Sequence, residues 1–179
     1  MKFIIFQERD SSKDEFINFW KLRYFYDSDV DYEKNLQRPL TKDKIKNLFI
    51  WKNGRALSEL KNETVERNFS QRLKELPKLD ADLSPDKFLE KFSEGGVIWR
   101  IFFLHCWQPD RYPVYDQHVY RAMYFIKYSK IEEIPKSDYE KINSYLSEYL
   151  PWWEEYFKDY GRDADKALWA FGKKIKAYF

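Results

Sequence analysis

Apolar residues recur along this chain at three- and four-residue spacing, broken by short polar stretches, and that period predicts a succession of helices. In "SSKDEFINFWKLRYF" Ser11 or Ser12 is placed to cap a helix that carries Phe16, Phe19, Trp20 and Arg23 on one side. "YDSDVDYEKNLQRP" breaks the period and reads as a connecting loop ending at Pro39. "LTKDKIKNLFIWKNG" restores it, with Thr41 as cap, Ile45, Leu48, Phe49 and Lys52 on one side, and Gly54 as the stop. A more polar helix follows in "LSELKNETVERNFSQRLKEL", through Leu57, Leu60, Thr64, Val65, Asn68 and Leu73. Its mixed charges read as a solvated face.

"PKLDADLSPDKFLEKF" holds the clearest local start signal, with Ser84 as cap, Pro85 in the first helical position and Asp86 in the first turn. After Gly95 and Gly96 comes "VIWRIFFLHCW", where only Arg100 and His105 are not apolar. A helix apolar nearly all round belongs inside the domain. Asp116 opens the next helix, "QHVYRAMYFIKYS". Ser137 caps "SDYEKINSYLSEYL", which Pro151 is expected to interrupt before "WWEEYFKDYG", and "DADKALWAFGKKIKAYF" forms the last helix. Only "KFIIF" near the start reads as strand-like, so the expected fold is all-α, a single-domain helical bundle over residues 1–179.

Composition narrows the picture. A chain of 179 residues has room for one full-sized core, and its fifteen Phe, fourteen Tyr and seven Trp against five Gly favour packed helices over disorder. The formal charge of +2 permits contact with a polyanion without advertising it, because a local patch sets phosphate affinity. Cys106 is the only cysteine, which excludes an intramolecular disulfide and a four-cysteine cluster, and two histidines leave no histidine-rich metal site. With no long apolar run and only a short one before Glu8, Arg9 and Asp10, the chain reads as cytoplasmic, with no membrane partner.

Several polar residues stand on apolar ground. His105 reads as a hydrogen-bonded core histidine and Cys106 as a small buried hydrophobe, while Arg100 calls for a carboxylate or a polar cavity. "WKNG" reads first as a helix terminus with its glycine stop, although its aromatic, cation and amide would suit a pocket. Lys158, Arg162, Lys166, Lys173, Lys174 and Lys176 form the most basic segment. Asp116 is a good cap in itself, and an aspartate so placed stays ionised, because the helix N-terminus favours the anion.

Asp116 lies twenty positions after Gly96, beyond the buried helix, in "YPVYDQHVYRA". This order resembles the helix-hairpin-helix DNA glycosylases, in which a glycine-containing hairpin, a buried helix and a segment of the Ala-Val-Asp-Thr-His-Val type follow one another. The resemblance covers about residues 84 to 176, including Ala167, Leu168 and Gly172 on the family's last core helix. The N-terminal helices of residues 1–83 are unmatched. The resemblance implies that Asp116 is the catalytic carboxylate, with Gly95, Gly96, His118 and Arg121 in the binding surface and DNA as partner. Trp99, Tyr112 and Tyr115 would supply rings for an extruded base, and Lys173 and Lys174 contacts to phosphate. Ile98 stands where the bifunctional members carry a lysine, so it implies a monofunctional, water-using glycosylase with no cofactor and no metal. Glu94 replaces a small or apolar hairpin residue, which favours the rival expectation of an inactive scaffold that binds nucleic acid or a protein partner.

Overall fold

In a computed structural model that describes residues 10–26 and 29–177, the described residues form helices and no strand. The "KFIIF" segment lies outside the described residues. Helix α1 (Lys13–Lys21) begins with a reciprocal capping box between Ser12 and Glu15. Helix α3 (Lys42–Asn53) is capped by the Thr41 hydroxyl and ends at Gly54, and both ends fall where the sequence marks them. The expected loop before Pro39 is instead helical over α2 (Asp29–Leu36). Its buried positions are Tyr32 and Asn35, so the inward face carries polar atoms that the apolar period does not register.

The chain from Glu59 to Lys78 is one helical run in three registers: α4 (Glu59–Val65), a π turn (Glu66–Ser70) and a 3-10 stretch (Gln71–Lys78). A second π turn (Tyr145–Tyr149) joins α8 (Asp138–Ser144) to α9 (Leu150–Tyr156). Pro151 therefore does not interrupt the run: its missing N–H falls in the first turn of α9, where the hydrogen-bond register is already changing. Helix α5 (Pro85–Lys91) leads into α6 (Val97–Trp107), the central element, whose residues from Ile101 to Trp107 are all buried. Phe102 and Phe103 are fully enclosed, and each such side chain contributes about 1.5–3 kcal/mol through burial.

Between α5 and α6, Gly95 takes φ +91°, and a side chain there would also press on the Phe69 ring at 3.1 Å. Arg100 forms no ion pair among the described residues. It donates from Nε to the Phe92 carbonyl at 2.9 Å and from Nη2 to that of Leu89, closing the C-terminal end of α5. Helix α7 (Gln117–Tyr128) packs along α10 (Gly161–Ile175), which also receives α1, while α2 lies on α3. At the α7–α10 seam a Cβ on Gly172 would stand 1.9 Å from the His118 carbonyl oxygen, so only glycine fits. No helix among the described residues is long and apolar enough to cross a membrane.

Candidate active site

Asp116 is the cap of α7, and its carboxylate also lines a cavity of about 400 Å³. Oδ1 accepts the N–H groups of His118 at 2.8 Å and Val119 at 3.3 Å, the capping bonds expected of an aspartate before a helix. Oδ2 accepts Lys52 Nζ at 2.9 Å. Lys52 comes from the last turn of α3, 64 positions earlier, and its side chain is only 5% exposed, against 19% for that of Asp116. Burial alone would raise the Asp116 carboxyl, but the Lys52 ammonium, with His118 and the hydrogen bonds, outweighs it and holds the group below the ordinary aspartate value.

Four aromatic side chains from three parts of the chain interlock around this carboxylate. Tyr24 and Tyr26 follow α1, Trp51 precedes Lys52 on α3, and Trp169 lies on α10. The Tyr26 ring meets Trp51 at 5.5 Å and Trp169 at 5.8 Å, both near edge-to-face, and its hydroxyl donates to the Trp51 carbonyl. Ile98 and Trp99, from the first turn of α6, form the side next to the hairpin. The "WKNG" segment is thus both a glycine-stopped helix end and part of the cavity wall.

Deeper in, Arg162 and Asp165 reach the cavity from α10. Arg162 Nη1 donates to Asp165 Oδ2 at 3.0 Å, and Nη2 donates to Asp29 Oδ1 at 2.6 Å and to the Tyr24 hydroxyl at 3.0 Å. The guanidinium stands 4.3 Å from the Tyr32 ring centroid and 5.3 Å from that of Trp51. Asp165 is buried, and burial raises its carboxyl to about 6 against the opposing pull of Arg162 and Lys52. Trp51 Nε1, Arg162 Nε and Asp165 Oδ1 are buried without a hydrogen-bond partner among the described residues.

The expected site residues divide. Asp116, His118 and Trp99 line the cavity, with the His118 ring 5.0 Å from that of Trp169. Burial foremost lowers the His118 imidazole below its ordinary value. Gly96 is exposed at the N-cap of α6, in a shallow neighbouring groove that shares Ile98 and Trp99 with the cavity. Gly95 is half-buried and Glu94 exposed. Lys173 Nζ stands 4.6 Å over the Trp169 ring, and Lys174 is exposed beside it.

Tyr112, Tyr115 and Arg121 are not cavity residues. Tyr112 and Tyr115 are packed in the core, their hydroxyls donating to the Leu83 carbonyl at 3.3 Å and to Ser144 Oγ at 3.2 Å. Arg121 has no exposed surface: Nη2 binds both Glu133 oxygens at 2.9 and 2.8 Å, and Nη1 donates to the Gly172 carbonyl at 2.8 Å. All three are packed into the protein and do not line this cavity. Within the basic segment, Arg162 turns inward and Lys166 pairs with Asp29 at 2.7 Å, so the charges do not form one outward patch. His105 is indeed a core histidine, between the Tyr32 hydroxyl and the Tyr112 carbonyl at 2.6 Å each, and burial lowers it to about 3. Burial likewise pushes the Cys106 thiol well up. No group of three or more His, Cys, Asp and Glu side chains among the described residues is arranged to hold a metal ion.

No known protein family, curated protein or solved structure matches this chain. Function is therefore read from these side chains. Lys52, Tyr24, Tyr26, Trp51, Arg162, Asp165 and Trp169 are among the cavity residues outside the expected set. Of these, Trp51 and Lys52 carried a local signal, in the "WKNG" segment whose aromatic and cation would suit a pocket.

Proposed function

We propose that the protein binds DNA, takes an extruded modified or mispaired base into the cavity, and hydrolyses its N-glycosidic bond with Asp116 as the catalytic carboxylate. The observation that carries this reading is an ionised carboxylate facing a cavity of about 400 Å³ walled by aromatic rings. That volume lies in the range of small-molecule sites, roughly 300–1,000 Å³. Flat rings suit an unstacked base.

Breaking the C1′–N bond sends its electron pair to the base and leaves positive charge on the deoxyribose, which a fixed anion stabilises. Water then adds its oxygen to C1′, and its proton neutralises the departing base. The His118 and Val119 N–H groups and Lys52 engage three of the roughly four acceptor positions of a carboxylate, which leaves one for the sugar cation or the water. Phosphate contacts would come from the exposed α6 terminus at Gly96 and from Lys61 and Lys173 beside the cavity mouth.

A second reading is an inactive glycosylase-like scaffold that binds nucleic acid or a protein. The Lys52–Asp116 ion pair, which offsets the negative charge the carboxylate can present, and the exposed Glu94 in the hairpin favour it. The two are separated by incubating the protein with duplexes carrying modified or mispaired bases and revealing abasic sites with alkali. The glycosylase reading expects strand scission only after alkali, and a loss of about 100-fold or more in Asp116→Asn. Undiminished base release by that variant overturns the mechanism; salt-sensitive DNA retardation with no free base from the wild type supports the scaffold.

A further inference from the structure

His118 lines the cavity next to Asp116, and its neighbours fix both its backbone and its ring. Its N–H is tied to Asp116 Oδ1 at 2.8 Å, and its carbonyl lies against Gly172 of α10, where no side chain fits. The ring meets Trp169 near edge-to-face at 5.0 Å and turns Nδ1 to Arg121 Nη1, 3.4 Å away. Arg121 is anchored in turn: Nη2 binds both Glu133 oxygens, Nη1 donates its other hydrogen to the Gly172 carbonyl at 2.8 Å, and no part of it is exposed.

The contact with Arg121 decides the tautomer of the ring. A guanidinium keeps its hydrogens, so Nδ1 is a bare acceptor; an Nδ1–H would set one donor against another. The contact is long for a hydrogen bond, but the exclusion holds at that distance, because a permanent cation attracts a lone pair and repels an N–H dipole. The ring hydrogen therefore sits on Nε2. Burial foremost lowers the imidazole below its ordinary value, with Arg121, Lys52 of α3 and Lys173 of α10 acting in the same direction and Asp116 opposing, so the ring is neutral near pH 7.

We propose that Arg121 sets His118 as an Nε2–H donor, and that this donor hydrogen-bonds a ring nitrogen or carbonyl oxygen of the extruded base as the electron pair of the C1′–N bond moves into it. This deepens the proposed function and rests on it in taking the guest to be a base. The two ends of the breaking bond then have separate partners, Asp116 for the sugar cation and His118 for the base anion. His118 hands over no proton, since a neutral imidazole N–H is far too weak an acid; it acts as a fixed dipole, and water supplies the proton that neutralises the base. Arg121 touches no guest and is a positioning residue.

The test is ring-nitrogen NMR of the full chain labelled at histidine. The protein has two histidines, so His118→Gln assigns both rings by difference. His118 should show a protonated Nε2 and a bare Nδ1 at pH 7, and a share of the second tautomer should appear in Arg121→Met, which removes the donor opposite Nδ1. Deoxyuridine, deoxyinosine and deoxyadenosine, added separately at millimolar concentration, should move the Nε2–H proton downfield. Base release from DNA should fall about 100-fold in His118→Phe and by less than about tenfold in His118→Gln, whose amide restores a donor, with circular dichroism reporting that both variants are folded. A protonated Nδ1, an imidazolium at pH 7, an Nε2–H proton that none of the three nucleosides moves, or an equal loss in the two variants overturns the inference. A folded Arg121→Met with the wild-type tautomer alone overturns the part given to Arg121, and the wild-type spectra decide the tautomer whether or not that variant folds. Base release that depends on Asp116 would survive each of those results, and failure of base release would leave a measured shift of the Nε2–H proton standing.

Discussion

Two aspartates face the same cavity and are held in opposite ways. Asp116 accepts two backbone N–H groups and a lysine, and these override its burial and keep it ionised well into acid. Asp165 has one oxygen on Arg162 and the other without a partner among the described residues, and burial lifts it to about 6. Residue type is the same, but Asp165 is the more deeply buried, its side chain 5% exposed against 19%, and has fewer hydrogen bonds, so burial and hydrogen-bond count together set the difference. The contrast shows how two aspartates beside one cavity are driven to opposite protonation behaviour by burial and by what each oxygen is bonded to.

The largest effect on this pair is expected from Gly172→Ala, because the α7–α10 seam carries both aspartates and a methyl group would meet the His118 carbonyl. Urea unfolding should show a loss of about 3 kcal/mol, at the upper end for overpacking, since backbone must move. A loss under about 1 kcal/mol would mean that the seam opens easily. Lys52→Met comes next. It leaves burial of Asp116 less opposed, so the carboxyl should titrate at higher pH by carbon NMR, and stability at neutral pH should fall by about 2–3 kcal/mol. An unmoved carboxyl would show that the capping N–H groups suffice.

The pH dependence of the two aspartates has opposite sign. Asp116, depressed in the fold, stabilises above its unfolded value of 3.8, and that contribution is lost as pH falls through its folded value. Asp165, raised from 3.8 to about 6, makes the folded state hold its proton longer, so its contribution is full below the unfolded value and is lost as pH rises through about 6. Melting temperatures of wild type and Asp165→Asn between pH 4 and 7 should diverge in that direction, the variant lacking a decline on the order of 2–3 kcal/mol. Parallel curves would place the titration elsewhere. Tyr115→Phe, the smallest change, should cost about 1 kcal/mol for its bond to Ser144 and leave nucleoside binding untouched, as befits a ring outside the cavity.

Local signals proved sufficient where the chain negotiates with itself over three or four residues. Ser12 with Glu15, Thr41 with Lys44, and Asp116 with His118 and Val119 are caps legible in the sequence and present in the fold. Helix α2 was hidden because Tyr32 and Asn35 turn polar-bearing side chains inward. The cavity was hidden for a different reason: Lys52 meets Asp116 across 64 positions, and Arg162 meets Asp29 across 133. Charge counting placed Arg162 and Lys166 in the most basic segment, whereas a carboxylate on α2 pairs with both. Asp116 itself was legible twice over, since a good cap and an anion at a void ask for the same geometry.

The contact at Gly172 also sets where this molecule can be remodelled. With a single hydrogen atom between α10 and the carbonyl of His118, the gap between the α7 and α10 sides of the chamber has no slack. An engineer wanting a roomier chamber would trim Trp51 on α3 or Tyr24 and Tyr26 beside α1, whose rings are held by ring packing and by the tyrosine hydroxyls, with no pair of main chains pressed together there.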